Sequence, residues 1–122
     1  MKNPKILIVS AFDPLPGDGG LCIRYPYLAE ALAAKGAEVT YVSSAFFHGK
    51  KAFRDPRNIP VLPYKVHLLP AKAYKQNASL ARIRHHLHFA KELKQFLENQ
   101  PGYDLIISAF PPIRANSIVC DY

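Results

Sequence analysis

The sequence predicts an α/β domain built on a mostly parallel sheet, and three observations carry that expectation. Short, continuous apolar runs ended by turn residues recur, as in Lys5 to Ser10 (KILIVS) and Asp104 to Ala109 (DLIISA), which suits strands buried on both faces. The first run leads through a Gly-rich turn and a helical pattern to a second strand by Ser43, and such βαβ units cross over right-handed. A long amphipathic pattern then separates the later strands, as a crossover helix would. The 122 residues amount to about one domain.

Each element has its own signature. Lys5 to Ser10 reads as the first strand, and Pro14-Leu15-Pro16-Gly17-Asp18-Gly19-Gly20 as the loop after it. A helix is expected from about Cys22 to Lys35, with Leu28, Ala31 and Leu32 on one face and Gly36 as its C′ stop. Pro26 would fall in its first turn, where N–H groups lack intrahelical partners. Glu38 to Ser43 (EVTYVS) is rich in β-branched residues and reads as the second strand. Ser44 to Pro63 reads as a long basic loop carrying Phe46, Phe47 and Phe53, and Lys65 to Leu69 as a third strand between Pro63 and Pro70. From about Ser79 to Asn99, Leu80, Ile83, Leu87, Ala90, Leu93 and Leu97 form one apolar stripe at helical spacing. Pro101-Gly102 ends that helix, Asp104 to Ala109 makes the fourth strand, and Pro111-Pro112 opens a further helix through Val119. There is no internal repeat and no low-complexity segment.

Composition narrows the function classes. An apolar fraction of 49% with 20% charged residues fits a globular chain rather than a disordered one. No apolar run is long enough to span a bilayer, and Asp13, Pro14 and Gly17 cut the first apolar stretch too short for a signal peptide. Cys22 and Cys120 stand far apart without metal-ligand spacing, so a reduced cytoplasmic protein is expected. The net charge of +7 is unevenly spread: residues 48 to 94 hold eleven basic side chains against Asp55 and Glu92. That region is suited to an anionic partner such as lipid headgroups, a phosphorylated acceptor or nucleic acid.

The Gly17-Asp18-Gly19-Gly20 turn is the chief functional candidate. It lies at the carboxyl end of the first strand, where doubly wound sheets bind ligands. Glycines there let backbone N–H groups approach a phosphate, and the following helix N-terminus adds partial positive charge. The turn is not a dinucleotide fingerprint, because Cys22 stands where a third glycine belongs, and no Gly-Lys-Ser/Thr of a Walker A loop follows. Both observations count against a nicotinamide-dependent enzyme or a P-loop nucleotidase.

Four segments in order resemble the glycosyltransferase family-four-like N-terminal domain. They are Phe12-Asp13-Pro14, Gly19-Gly20, the helix end Leu32-Ala33-Ala34-Lys35-Gly36, and Glu38-Val39-Thr40. Tyr103-Asp104-Leu105-Ile106-Ile107-Ser108 with Pro111-Pro112 is similar to a later segment of the same family, whereas residues 44 to 100 match in outline only. The resemblance implies a Rossmann-like domain forming the acceptor-side half of a GT-B enzyme that moves a sugar from a nucleotide-sugar donor to an acceptor hydroxyl. It also implies that the donor is a substrate rather than a cofactor and that no metal is needed. Gly19 and Gly20 would contact the donor diphosphate, and the partners would be the nucleotide-sugar and a glycan or lipid-linked acceptor, as in cell-surface polysaccharide or lipid glycan assembly. The donor domain would be a further C-terminal domain or partner subunit, and the polar catalytic residue found on the N-terminal side in this family would fall after the next strand, beyond Tyr122. Chain termination at Cys120-Asp121-Tyr122, inside a helical pattern, fits the expectation of a domain cut after its fourth strand. Glu30 and Glu38 match the family's paired-glutamate interval, but one sits in a helix and the other opens a strand, so the match is accidental.

Acceptor- or anion-facing positions are assigned to Phe12, Asp13, Arg24, Lys50, Lys51 and Arg54. The aromatic and basic stretch from Phe46 to Arg57 suits a membrane surface or lipid-linked acceptor, with peripheral association at the inner face of the membrane; a solvated loop is the bland reading. Interleaved Phe and Lys also suit single-stranded nucleic acid, which is not the partner expected here. His85, His86 and His88, with Glu92 one turn on, are expected to form a solvated face rather than a metal site. From a different class, a stand-alone nucleotide- or anion-binding module acting with a partner chain is the alternative function.

Overall fold

The computed structural model describes residues 3–10, 14–17, 24–47, 52–70, 80–100 and 102–109, and every structural statement below concerns these. The elements run β1 (Lys5–Val9), α1 (Tyr25–Ala34), β2 (Glu38–Ser44), β3 (Phe46–Phe47), β4 (Ala52–Phe53), a 3-10 turn (Pro56–Asn58), β5 (Lys65–Leu69), α2 (Leu80–Glu98) and β6 (Leu105–Ser108). The fold is α/β and Rossmann-like, with a four-stranded sheet in the order β5-β2-β1-β6. All three pairings within it are parallel. The expected helix after Pro111 lies outside the described residues.

The central strand explains the architecture. β1 pairs with β2 from Lys5 opposite Glu38 to Val9 opposite Val42, and with β6 from Ile6 opposite Leu105 to Val9 opposite Ser108. Alternate side chains of a strand point to opposite faces. Leu7 and Val9 accordingly join Val42, Leu69, Phe89, Ala90, Leu93 and Leu97 in one core, under α2. Ile6 and Ile8 join Leu15, Ala29, Val39, Tyr41 and Tyr64 in the other, under α1. A strand with two buried faces must be apolar throughout, which is why KILIV shows no alternation.

Helix α1 begins three residues later than its apolar pattern suggests, with Pro26 inside the first turn. Its buried residues are Pro26 and Ala29, with Leu32 and Ala33 packed beside them, while Leu28 and Ala31 are exposed. The face is thus rotated from the expected one. At the other end, Gly36 takes φ 96° and donates to Ala33 O at 3.0 Å, and Ala37 N donates to Leu32 O at 3.1 Å. Those two bonds make a Schellman stop, which places glycine at the left-handed position.

The segment expected to be a long loop after β2 is partly ordered as sheet. Phe46 pairs with Phe53 and Phe47 with Ala52 in an antiparallel hairpin, followed by the 3-10 turn that Asp55 caps through Arg57 N at 3.0 Å. Phe46 and Phe47 are buried, so the aromatic character of the segment serves packing. Helix α2 also departs from its simple stripe. Ala90, Leu93 and Leu97 pack on the sheet as expected, but Leu80, Ile83 and Leu87 are exposed. Phe89 and His85 take the buried positions nearer the N-terminus instead. Among the described residues, no helix is long and apolar enough to cross a membrane.

Candidate functional site

Parallel strands direct all their carboxyl ends the same way, and here three of the four, β1, β2 and β6, carry small polar residues there. Ser10 follows β1, Ser43 and Ser44 close β2, and Ser108 closes β6; the first three are buried. Past the last register pair, Ala109 N donates to Val9 O at 2.8 Å and Ser10 N donates to Val42 O at 3.0 Å, so the three strand ends stay in step. From β1 the chain runs to β2 on one side, whereas β6 lies on the other. The carboxyl ends of β1 and β6 therefore flank the topological switch point where open α/β sheets bind ligands.

Arg54 organises the β2 side of this end. Its Nη1 donates to Ser43 Oγ at 2.8 Å and to Ser44 O at 2.7 Å, and its guanidinium carbon lies 4.9 Å from the Phe47 ring centroid. Its backbone N donates to Ala45 O at 2.7 Å. Arg54 was expected on a basic, acceptor-facing loop; the structure buries it and spends two of its bonds on the end of β2. Ser44 Oγ accepts from Phe46 N at 3.1 Å, which starts the hairpin immediately after the strand.

The described part of the Gly-rich turn packs against the same region. Gly17, at φ 99°, lines a cavity of about 100 Å³ with Phe47, Phe53, Arg54, Asp55 and Asn58. A Cβ on Gly17 would lie 2.9 Å from the Asn58 carbonyl carbon and closer still to its oxygen. Glycine is thus required twice over, for conformation and for close approach. A cavity of this size holds a few water-sized groups, far short of the roughly 300–1,000 Å³ of a ligand pocket. A wider crevice of about 570 Å³ opens at the opposite end of the sheet, between Lys5, Glu38, Lys65 and Tyr103. It lies at the amino ends of the strands, away from the switch point, so the carboxyl end is the better candidate.

Of the residues singled out from sequence, Arg24 is the N-cap of α1 and is exposed. Its carbonyl accepts from Leu28 N at 3.0 Å, and its guanidinium carbon sits 5.4 Å from the Tyr25 ring centroid. Phe12, Asp13, Gly19, Gly20, Lys50 and Lys51 lie outside the described residues. The histidines do not form the solvated face expected of them. His85 is buried, its ring 5.6 Å from Phe46 in an edge-on arrangement, and His86 is half-buried. His88 Nε2 lies 3.7 Å from Glu92 Oε1, an ion pair only when the histidine is protonated. No group of three potential metal ligands is present among the described residues.

Sequence reasoning missed Ser43, Ser44 and the Asp55–Arg57 pair. Asp55 Oδ1 accepts from Arg57 Nε at 3.1 Å, and Oδ2 from Nη2 at 2.9 Å. These bonds hold the Asp55 carboxyl below the usual carboxylate range and raise the Arg57 guanidinium. The D-P-R spacing was the available signal, since an Asp before a proline-led turn is a natural cap. No family model matches the chain, and no curated protein and no solved structure matches it.

Proposed function

We propose that this chain is part of the N-terminal, acceptor-side domain of a GT-B glycosyltransferase that transfers a sugar from a nucleotide-sugar to an acceptor hydroxyl. The acceptor would be a glycan or lipid-linked intermediate of cell-surface polysaccharide or lipid glycan assembly, met at the cytoplasmic face of the membrane. The observation that supports this reading best is the placement of the Gly-rich turn. It joins the central strand of a parallel sheet to α1 at the carboxyl end, and the resemblance sets the donor diphosphate against Gly19 and Gly20. The α1 N-terminus, with Arg24 at its N-cap position, would supply the positive potential a diphosphate needs there. In this reading most of the donor-binding groups belong to a C-terminal domain or partner subunit and the polar catalytic residue follows a later strand, so these 122 residues alone should bind a diphosphate without transferring sugar.

The reading is tested with membranes from cells expressing the gene, supplied with radiolabelled nucleotide-sugars. Label should enter lipid or polysaccharide, and a Gly19→Val/Gly20→Val protein should fail to incorporate it because side chains would block the diphosphate. Incorporation unchanged by the double substitution refutes the assignment of the turn. Sugar transfer by the purified chain on its own refutes the half-site reading.

A further inference from the structure

The outward face of α2 combines three well-exposed large apolar side chains with three exposed bases. Leu80, Ile83 and Leu87 are 73%, 56% and 55% exposed, and Arg84, Lys91 and Lys94 are exposed with them. At about 100° per residue these six positions fall within roughly 100° of arc on the helix surface. The buried positions Phe89, Leu93 and Leu97 lie on the other side of the cylinder, against the sheet. The acids of the helix stand apart from the apolar end. Glu92 is half-buried beside His88, and Glu98 is the last helical residue.

We propose that this face of α2 lies on an anionic lipid surface, with Leu80, Ile83 and Leu87 entering the headgroup–acyl boundary and Arg84, Lys91 and Lys94 meeting the phosphates. Two arguments select a bilayer over a protein partner. Three apolar side chains are too few for the ~800 Å² that each partner buries in a stable protein interface. Protein interfaces also exclude lysine from their centres, whereas at a membrane lysine and arginine stems lie along apolar surface while their heads reach the headgroups. A basic amphipathic helix lying in the interfacial plane satisfies both groups at once. The Phe46 to Arg57 stretch is the rival location by sequence. Its Phe46, Phe47 and Arg54 are buried, leaving Phe53 and Arg57 as its exposed aromatic and basic members among the described residues. The proposal holds whether or not the chain takes part in sugar transfer.

Vesicle flotation of the full chain tests it, using phosphatidylcholine vesicles and phosphatidylcholine–phosphatidylglycerol vesicles. The protein should float with the anionic vesicles only, and less so as salt rises. Each of Arg84→Gln, Lys91→Gln and Lys94→Gln should weaken binding about fivefold. The Leu80→Ser/Ile83→Ser/Leu87→Ser protein should lose flotation while keeping its circular dichroism, and Phe53→Ser should float normally. Loss of flotation in Phe53→Ser with retention in the α2 variants would move the contact to the hairpin and overturn the proposal. So would absence of flotation by the unmodified chain, or self-association abolished by the triple substitution, which would assign the face to a second copy.

Discussion

Replacing Arg54 with methionine keeps most of the side-chain length and removes the guanidinium that ties the β3–β4 hairpin to the end of β2. Two donor contacts are lost, to Ser43 Oγ at 2.8 Å and Ser44 O at 2.7 Å, with the stacking over Phe47. A hydrogen bond from a charged donor contributes about 1.5–3 kcal/mol, while removing a buried charge returns part of its desolvation cost. The net loss should be about 2–4 kcal/mol, since Ser43 and Ser44 are themselves buried. At roughly 4 °C per kcal/mol for a chain of this size, the melting temperature should fall by about 8–16 °C. Urea unfolding of the unmodified protein, Arg54→Met, Ser43→Ala and the double variant gives the coupling directly. An interaction energy of about 1 kcal/mol or more between the two sites is expected. Arg54→Met within about 0.5 kcal/mol of the unmodified protein, with no coupling to Ser43→Ala, would show that the hairpin is not anchored this way.

Other predictions follow from single contacts. Gly17→Ala should destabilise more than Gly36→Ala, because the first meets the Asn58 backbone while the second meets nothing and costs only the left-handed strain, about 1 kcal/mol. Differential scanning calorimetry of both variants ranks them. Leu93→Ala, in the core beneath α2, should cost about 2–5 kcal/mol in urea unfolding, and Leu87→Ala, on the exposed face, within about 0.5 kcal/mol; equal losses would mean that α2 is rotated. The Asp55 carboxyl is held low by Arg57, so its contribution is complete above the ordinary aspartate value and is lost as pH falls through its lowered folded value. Because the pair is exposed, Asp55→Asn should cost only a small, salt-sensitive amount of stability near neutrality, and that difference should vanish in the acid range, read by pH-dependent unfolding.

Different elements were legible in the sequence to different degrees, for identifiable physical reasons. KILIV and KVHLL emerge with their ends correct or nearly so, the first because a doubly covered strand leaves an apolar run closed by turn residues, the second because Pro63 and Pro70 bracket it. Gly36 is equally plain, since few residues tolerate the left-handed position that ends α1. The stripe on α2 misled at one end. Spacing picks out Leu80, Ile83 and Leu87, but which side of a helix is buried depends on where the sheet lies, and Phe89 and His85 face it there. The hairpin was missed because two-residue strands are too short to show a period, and because the Phe-rich, Lys-rich composition around it looks like a loop. In the candidate site the glycine turn was legible, as conformation is written into glycine itself. The part played by Arg54 was not, because it depends on acceptors ten and eleven residues away that only the fold brings near.

The most direct test of the account is an amide NMR titration of the isotope-labelled chain with uridine diphosphate and then with pyrophosphate. Shifts concentrated in Gly17 to Arg24 and at Ser10 and Ala109, around the carboxyl ends of β1 and β6, are the predicted result. Shifts centred on Lys5, Glu38 and Tyr103 at the amino ends of the strands, or no shifts with either ligand, would contradict it.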